Sequence, residues 1–111
     1  METTRQQKVS RLIQKELAEY FRGTGVQIGQ GTIISVTVVR ISPDLAQARV
    51  YLSIFPPAQR DQILKSIESQ ARQIRFELGR VIAKQVRHIP ELHFFVDDSL
   101  DYAERIDELL Q

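Results

Sequence analysis

Two neighbouring segments between Ile33 and Ile54 constrain the fold more than anything else in the sequence. From Ile33 to Ile41 the chain is dense in β-branched residues: Ile33, Ile34, Val36, Thr37, Val38, Val39 and Ile41. That density predicts a strand. From Gln47 to Ile54, Ala48, Val50, Leu52 and Ile54 alternate with Gln47, Arg49, Tyr51 and Ser53. Alternation of period two predicts a half-buried strand with one apolar face. The link, Ser42-Pro43-Asp44, is a turn with proline pre-set at its second position. A short link makes the pair an antiparallel hairpin. An isolated hairpin is marginal in water, so the rest of the chain must cover its apolar face.

The covering elements follow from a change of period. Val9, Leu12, Ile13, Leu17, Tyr20 and Phe21 recur at helical spacing and predict a helix from about Thr4 to Arg22. Thr3 or Thr4 caps its start, and the helix should stop by Gly23. Four of the five glycines fall in residues 23–31, which read as a loop. Pro56-Pro57 ends the second strand and opens a long helical pattern from about Pro57 to Val86. Its apolar residues Ile63, Ile67, Ala71, Ile74, Leu78, Val81 and Ile82 fill one arc. Near 30 residues is long for a chain of 111 residues, so a break is expected somewhere within it. Ile89-Pro90 ends the pattern. Leu92, Phe94 and Val96 then alternate with His93 and Phe95 as a third strand. Asp98 or Ser99 can cap a last helix through Leu100, Ala103, Ile106, Leu109 and Leu110. A three-stranded sheet with helices on one face follows, an α+β fold.

The formal net charge of +1 conceals an uneven distribution. Residues 1–96 carry 14 Lys and Arg against 8 Asp and Glu, a balance of +6. Residues 97–111 carry one Arg against six acids, a balance of −5. The chain is therefore divided into a basic domain, 1–96, and an acidic C-terminal helix, 97–111, docked on the domain or on a partner. A basic body suggests a polyanion partner. No cysteine is present, which excludes disulfides and thiolate chemistry and suits a reducing cytosol. No apolar run approaches the length of a membrane span.

Two basic clusters stand out. On the first helix, Lys8, Arg11, Lys15 and Arg22 fall within about 60° of one another by helical-wheel geometry. They lie opposite Val9, Ile13, Leu17 and Tyr20, with Glu19 among them. In the long helical pattern and its exit, Arg72, Arg75, Arg80, Lys84 and Arg87 are offset only by Glu77. A stripe of one sign neutralises several phosphates at once, and the arginine fork donates two parallel hydrogen bonds to one of them. Arg75 or Arg87 has the alternative duty of tying down the acidic segment from Asp97. Phe76, off the apolar arc, is expected to pack against a neighbouring loop or chain end rather than stack on a base. Tyr51, on the polar face of its strand, is read the same way.

The residues also resemble a known family. The order of elements matches a type II KH domain (αββααβ) with a helix added. Ser42-Pro43-Asp44-Leu45 with Ala48-Arg49-Val50-Tyr51-Leu52-Ser53 resembles the hairpin of the bacterial ribosome-binding factor A family. Leu78-Gly79-Arg80, Arg87-His88-Ile89-Pro90-Glu91-Leu92, Phe94 and Asp97-Asp98-Ser99-Leu100 resemble its R-x-x-L-G-[KR], R-x-[VI]-P-E-L-x-F and D-x-S-L motifs, with Arg75 as the first arginine. Two departures stand beside the matches. Gly23-Thr24-Gly25-Val26-Gln27-Ile28-Gly29 replaces the family's D-P-R motif. At the family's A-x-G kink the chain has Gln70-Ala71-Arg72, and the missing glycine favours two helices that run more continuously.

The resemblance implies a non-enzymatic cytoplasmic assembly factor, without cofactor or metal and expected to be a monomer. Such a factor binds the free small (30S) ribosomal subunit and 16S ribosomal RNA and assists late maturation, including processing of the 5′ end. It is associated with growth in the cold and leaves the subunit with help from an assembly GTPase. The alternative is a protein-interaction module that uses the acidic terminal helix or a sheet edge. Catalysis has little support: the two histidines, His88 and His93, sit in no nucleophile or metal-ligand spacing.

Overall fold

The structure, a computed structural model, describes residues 3–28 and 32–97. Helix α1 spans Thr4–Ile28. Strand β1 spans Ile33–Ile41 and strand β2 Gln47–Phe55. A cis Phe55–Pro56 peptide and a 3-10 turn over Pro57–Gln59 lead into α2, Arg60–Ser69. Helix α3 covers Ala71–Ile82, and strand β3 Glu91–Val96. The sheet order is β1-β2-β3, with β1 antiparallel and β3 parallel to β2. This is the expected α+β fold, and the element order is consistent with a type II KH-like domain. Parallel pairing needs a crossover, and the two helices between β2 and β3 supply it.

The core lies between the helices and one sheet face. Val9, Ile13, Leu17 and Phe21 of α1 are buried there with Ile63 and Ile67 of α2 and Ile74, Leu78 and Ile82 of α3. Beneath them lie Ala48, Val50, Leu52 and Ile54 of β2 with Leu92 and Phe94 of β3. In β1 the buried set changes phase, from Ile34 and Val36 to Val39 and Ile41. The shift falls at a bulge, where Val36 pairs with Leu52 but Val38 with Tyr51. Gln14 of α1 donates its Nε2 to the carbonyls of Val36 and Thr37 (3.3 and 3.1 Å), so the irregular strand still has partners. At the start of α1, Gln6 Oε1 accepts from the Thr3 amide (2.8 Å) and Thr3 Oγ1 from the Gln6 amide (3.1 Å). This is a reciprocal cap. Gln6, itself buried, also donates to the Ile41 carbonyl (2.8 Å) and fastens the helix start to the end of β1.

Two expectations are corrected, and the break expected from length is present. Helix α1 does not stop by Gly23 but continues to Ile28. Glycine weakens a helix by about 1 kcal/mol without forbidding its backbone angles, and a Cβ on Gly23 would meet nothing within 4 Å. The long helical pattern is broken despite the missing glycine. Gln70 sits at φ −102°, ψ 10°, and its amide bonds the Ile67 carbonyl in the shorter 3-10 manner. That backbone region is open to any L residue, so no glycine is needed. Ser69 Oγ also donates to the Ser66 carbonyl (2.7 Å), competing with the helical ladder. Finally, α3 ends at Ile82 rather than Val86, which is buried beyond a turn. The expected helix from Asp98 or Ser99 onward lies outside the described residues.

Candidate nucleic-acid interface

The basic residues of α3 are gathered by packing along the exit segment. Arg75 donates from Nε and Nη2 to the Ile89 carbonyl (3.1 and 2.6 Å) and from Nε to the Pro90 carbonyl (3.2 Å). Gly79 lets the same segment approach from the other side: a Cβ there would lie 3.2 Å from Ile89 Cγ1. Side chain and missing side chain together hold residues 87–90 alongside α3. The result is an open groove lined by Arg72, Arg75, Phe76, Arg80, Arg87 and His88, with Gly79 at its floor. Four arginines therefore line one concavity, the guanidinium of Arg75 being bonded to the exit carbonyls.

The groove keeps its charge. Glu68 and Glu91 line an adjoining cleft with Arg72 and Arg75. Among the described residues the acid in ion-pair contact with the groove arginines is Glu77, 3.8 Å from Arg80. Both side chains are well exposed, and Glu77 also accepts from Gln73 Nε2 (3.1 Å). Such an exposed contact is worth little. Lys84 is exposed on the turn after α3, beside the groove but not in its lining.

Among the described residues Arg75 anchors the exit segment through the Ile89 and Pro90 carbonyls. The acidic segment beyond Asp97, the other partner expected for Arg75 or Arg87, lies outside the described residues. Phe76 lines the groove beside the exit segment. It is 61% exposed on the groove wall, where an unpaired base could stack on it. Tyr51 packs against Phe95 across the β2–β3 pair. His88 was missed as a lining residue, because only the path of the exit segment brings it to α3. The one available signal was its position between Arg87 and Ile89 in the motif.

The second cluster is separate. Lys8, Arg11, Lys15 and Arg22 are all exposed on α1, with Arg22 at a cleft against the start of β1. A small cleft between α1 and α3 is lined by Glu16, Glu19 and Glu77 with Leu17, Tyr20, Ile74, Leu78 and Val81. Val81, expected within the apolar arc, is 58% exposed at this cleft because α3 buries the line through Ile74, Leu78 and Ile82. The two basic surfaces are thus not merged into one site, and carboxylates lie between their helices.

Comparison with known proteins places this geometry in a family context. The model of the family described as ribosome-binding factor A matches residues 5–110. Ribosome-binding factor A of Cytophaga hutchinsonii is 47% identical over 110 residues, covering 99% of this chain and 83% of its own. The protein of that name from Flavobacterium psychrophilum is 43% identical over 111 residues, covering 99% and 85%. The crystal structure of ribosome-binding factor A from Thermus thermophilus superposes with a TM-score of 0.69 at 21% identity, covering 82% of this chain and 94% of its own. A Thermus thermophilus ribosome-binding factor A fitted into the cryo-EM map of a 30S complex gives 0.62 at 19% identity, covering 88% and 97%. At such identities the two structures speak for the fold.

Proposed function

The chain belongs to the ribosome-binding factor A family, and from that premise we propose that it binds the free small ribosomal subunit through 16S ribosomal RNA. The observation that carries the reading is the groove between α3 and its exit, which Arg72, Arg75, Arg80 and Arg87 line with no carboxylate among the lining residues. A cluster of guanidinium groups suits phosphates. Phe76 and His88 offer flat surfaces to a base splayed from the backbone. Lys8, Arg11, Lys15 and Arg22 on α1 would extend the contact to a second stretch of RNA.

In this reading the protein assists late subunit maturation, including 5′-end processing of 16S RNA, without catalysing a bond change itself. It acts in the cytoplasm as a monomer that an assembly GTPase helps to release. No helix of the described residues is long and apolar enough to cross a membrane. Residues 97–111 act as an acidic appendage to the basic domain and moderate its attraction for RNA.

Co-sedimentation with small subunits, large subunits and whole ribosomes tests the proposal. The protein should pellet with free small subunits and leave them as salt rises. The folded double variant R80E/K84E should bind at least tenfold more weakly, since two attractions become repulsions. Equal retention of wild type and folded variant would remove the groove from the interface. Absence of any subunit preference would remove the assembly-factor role.

A further inference from the structure

The sheet face opposite the helices carries a second set of groups suited to RNA. On that face the register aligns Arg40 with Arg49 and Arg49 with His93, and in the next row Val38 with Tyr51 and Tyr51 with Phe95. The Tyr51 and Phe95 rings are stacked, with centroids 5.5 Å apart and planes 28° from parallel. Phe95 remains 42% exposed, so the pair ends in an open aromatic surface. Arg40 and Arg49 are both exposed, and neither guanidinium has a partner among the described residues. Like charges directly opposite in a ladder repel. A polyanion laid across the two strands turns that repulsion into attraction.

We propose that this open face is a stacking platform for a single RNA strand, with Phe95 and Tyr51 receiving an unpaired base and Arg40 and Arg49 its flanking phosphates. The inference rests on the RNA-binding reading above and adds a surface on the other side of the sheet from the arginine groove. Its chemistry selects unpaired RNA over duplex, because a paired base offers no free face to the rings. The charge of the platform also sets it apart from a bare apolar patch. An aliphatic protein partner would gain nothing from two adjacent unpaired arginines.

The test is an amide-resonance titration of the full chain with an unstructured oligouridine of about eight nucleotides, against a duplex RNA of equal length. The expected result is shifts at Arg49, Tyr51, His93 and Phe95 with the single strand and not with the duplex. F95A should weaken single-strand binding about tenfold, the usual scale for losing one stacked base. R40Q/R49Q, which leaves both rings in place, should lower the salt dependence of that binding by close to two phosphate contacts. The R80E/K84E variant should keep the open-face shifts. Shifts confined to residues 72–88, with F95A and R40Q/R49Q binding like wild type, would overturn the platform and leave the groove standing. Open-face shifts that appear only after residues 98–111 are removed would also overturn it, and would assign the face to that acidic segment.

Discussion

Ser10 shows how far a single atom can sit from its optimum. The residue is buried on α1, and its hydroxyl finds no hydrogen-bond partner among the described residues. Removing an unsatisfied buried hydroxyl recovers its desolvation cost, and alanine is also the better helix former. Ser10→Ala should stabilise the domain by about 1 kcal/mol, a rise of several degrees in Tm by calorimetry. Asp44 is the opposite case. It accepts from Ser42 Oγ (2.6 Å) and the Ala46 amide (3.1 Å) in the hairpin turn, and these bonds hold its pKa below the usual 3.8. A depressed carboxylate stabilises above the unfolded value and loses that contribution as pH falls through the folded one. Asp44→Asn should therefore show a shallower loss of stability below about pH 4 in acid titrations followed by circular dichroism. Neither residue announced itself in the sequence: a serine on an apolar helix face and an aspartate after proline are both common, and only burial and partners separate them. Thr3 was legible, because capping chemistry is local.

At the scale of elements, legibility followed the range of the forces involved. The hairpin and the third strand could be read because period-two alternation in β2 and β3 reports directly which face is buried. The bulge at Thr37 could not, since it depends on pairing with β2 and on Gln14 reaching the freed carbonyls. Gly23 misled because glycine permits two outcomes and the sequence does not choose between them. The break between α2 and α3 was expected from length, yet the family's glycine was the wrong device to look for. Gln70, with Ser66 and Ser69, makes it with ordinary backbone angles. Restoring the glycine should consequently bring no benefit. Arg72→Gly is expected to lower stability by roughly 0.5–1 kcal/mol in urea unfolding, because it places glycine in the first turn of α3. The same change should weaken RNA binding by removing one groove cation, and Arg72→Lys should restore the charge but not the paired hydrogen bonds.

For the whole molecule, the distribution of charge was legible before the shape was. The sequence separates a basic body from an acidic end, but it cannot show which cations converge. Arg72, Arg75, Arg80 and Arg87 converge because Ile89 packs on Gly79 and Arg75 grips the exit carbonyls. Lys8, Arg11, Lys15 and Arg22 stay apart because α1 lies across an acidic cleft from α3. Binding measured over a salt series should reflect this division. The R80E/K84E variant should lose close to two units of the slope of log affinity against log salt and retain the remainder, which belongs to α1 and to Arg72, Arg75 and Arg87.

The parallel pairing of β3 with β2 has a consequence in time. Residues 47–52 meet residues 91–96 only after two helices have been laid between them, whereas the β1–β2 hairpin closes across a few residues. Non-local closure is the slow part of folding, because the intervening chain must be ordered before any contact rewards it. The exit segment that forms one wall of the arginine groove runs directly into β3, so it takes its position with that last strand. With β3 unpaired that wall is missing, and the four arginines come to line one groove only with the completed sheet.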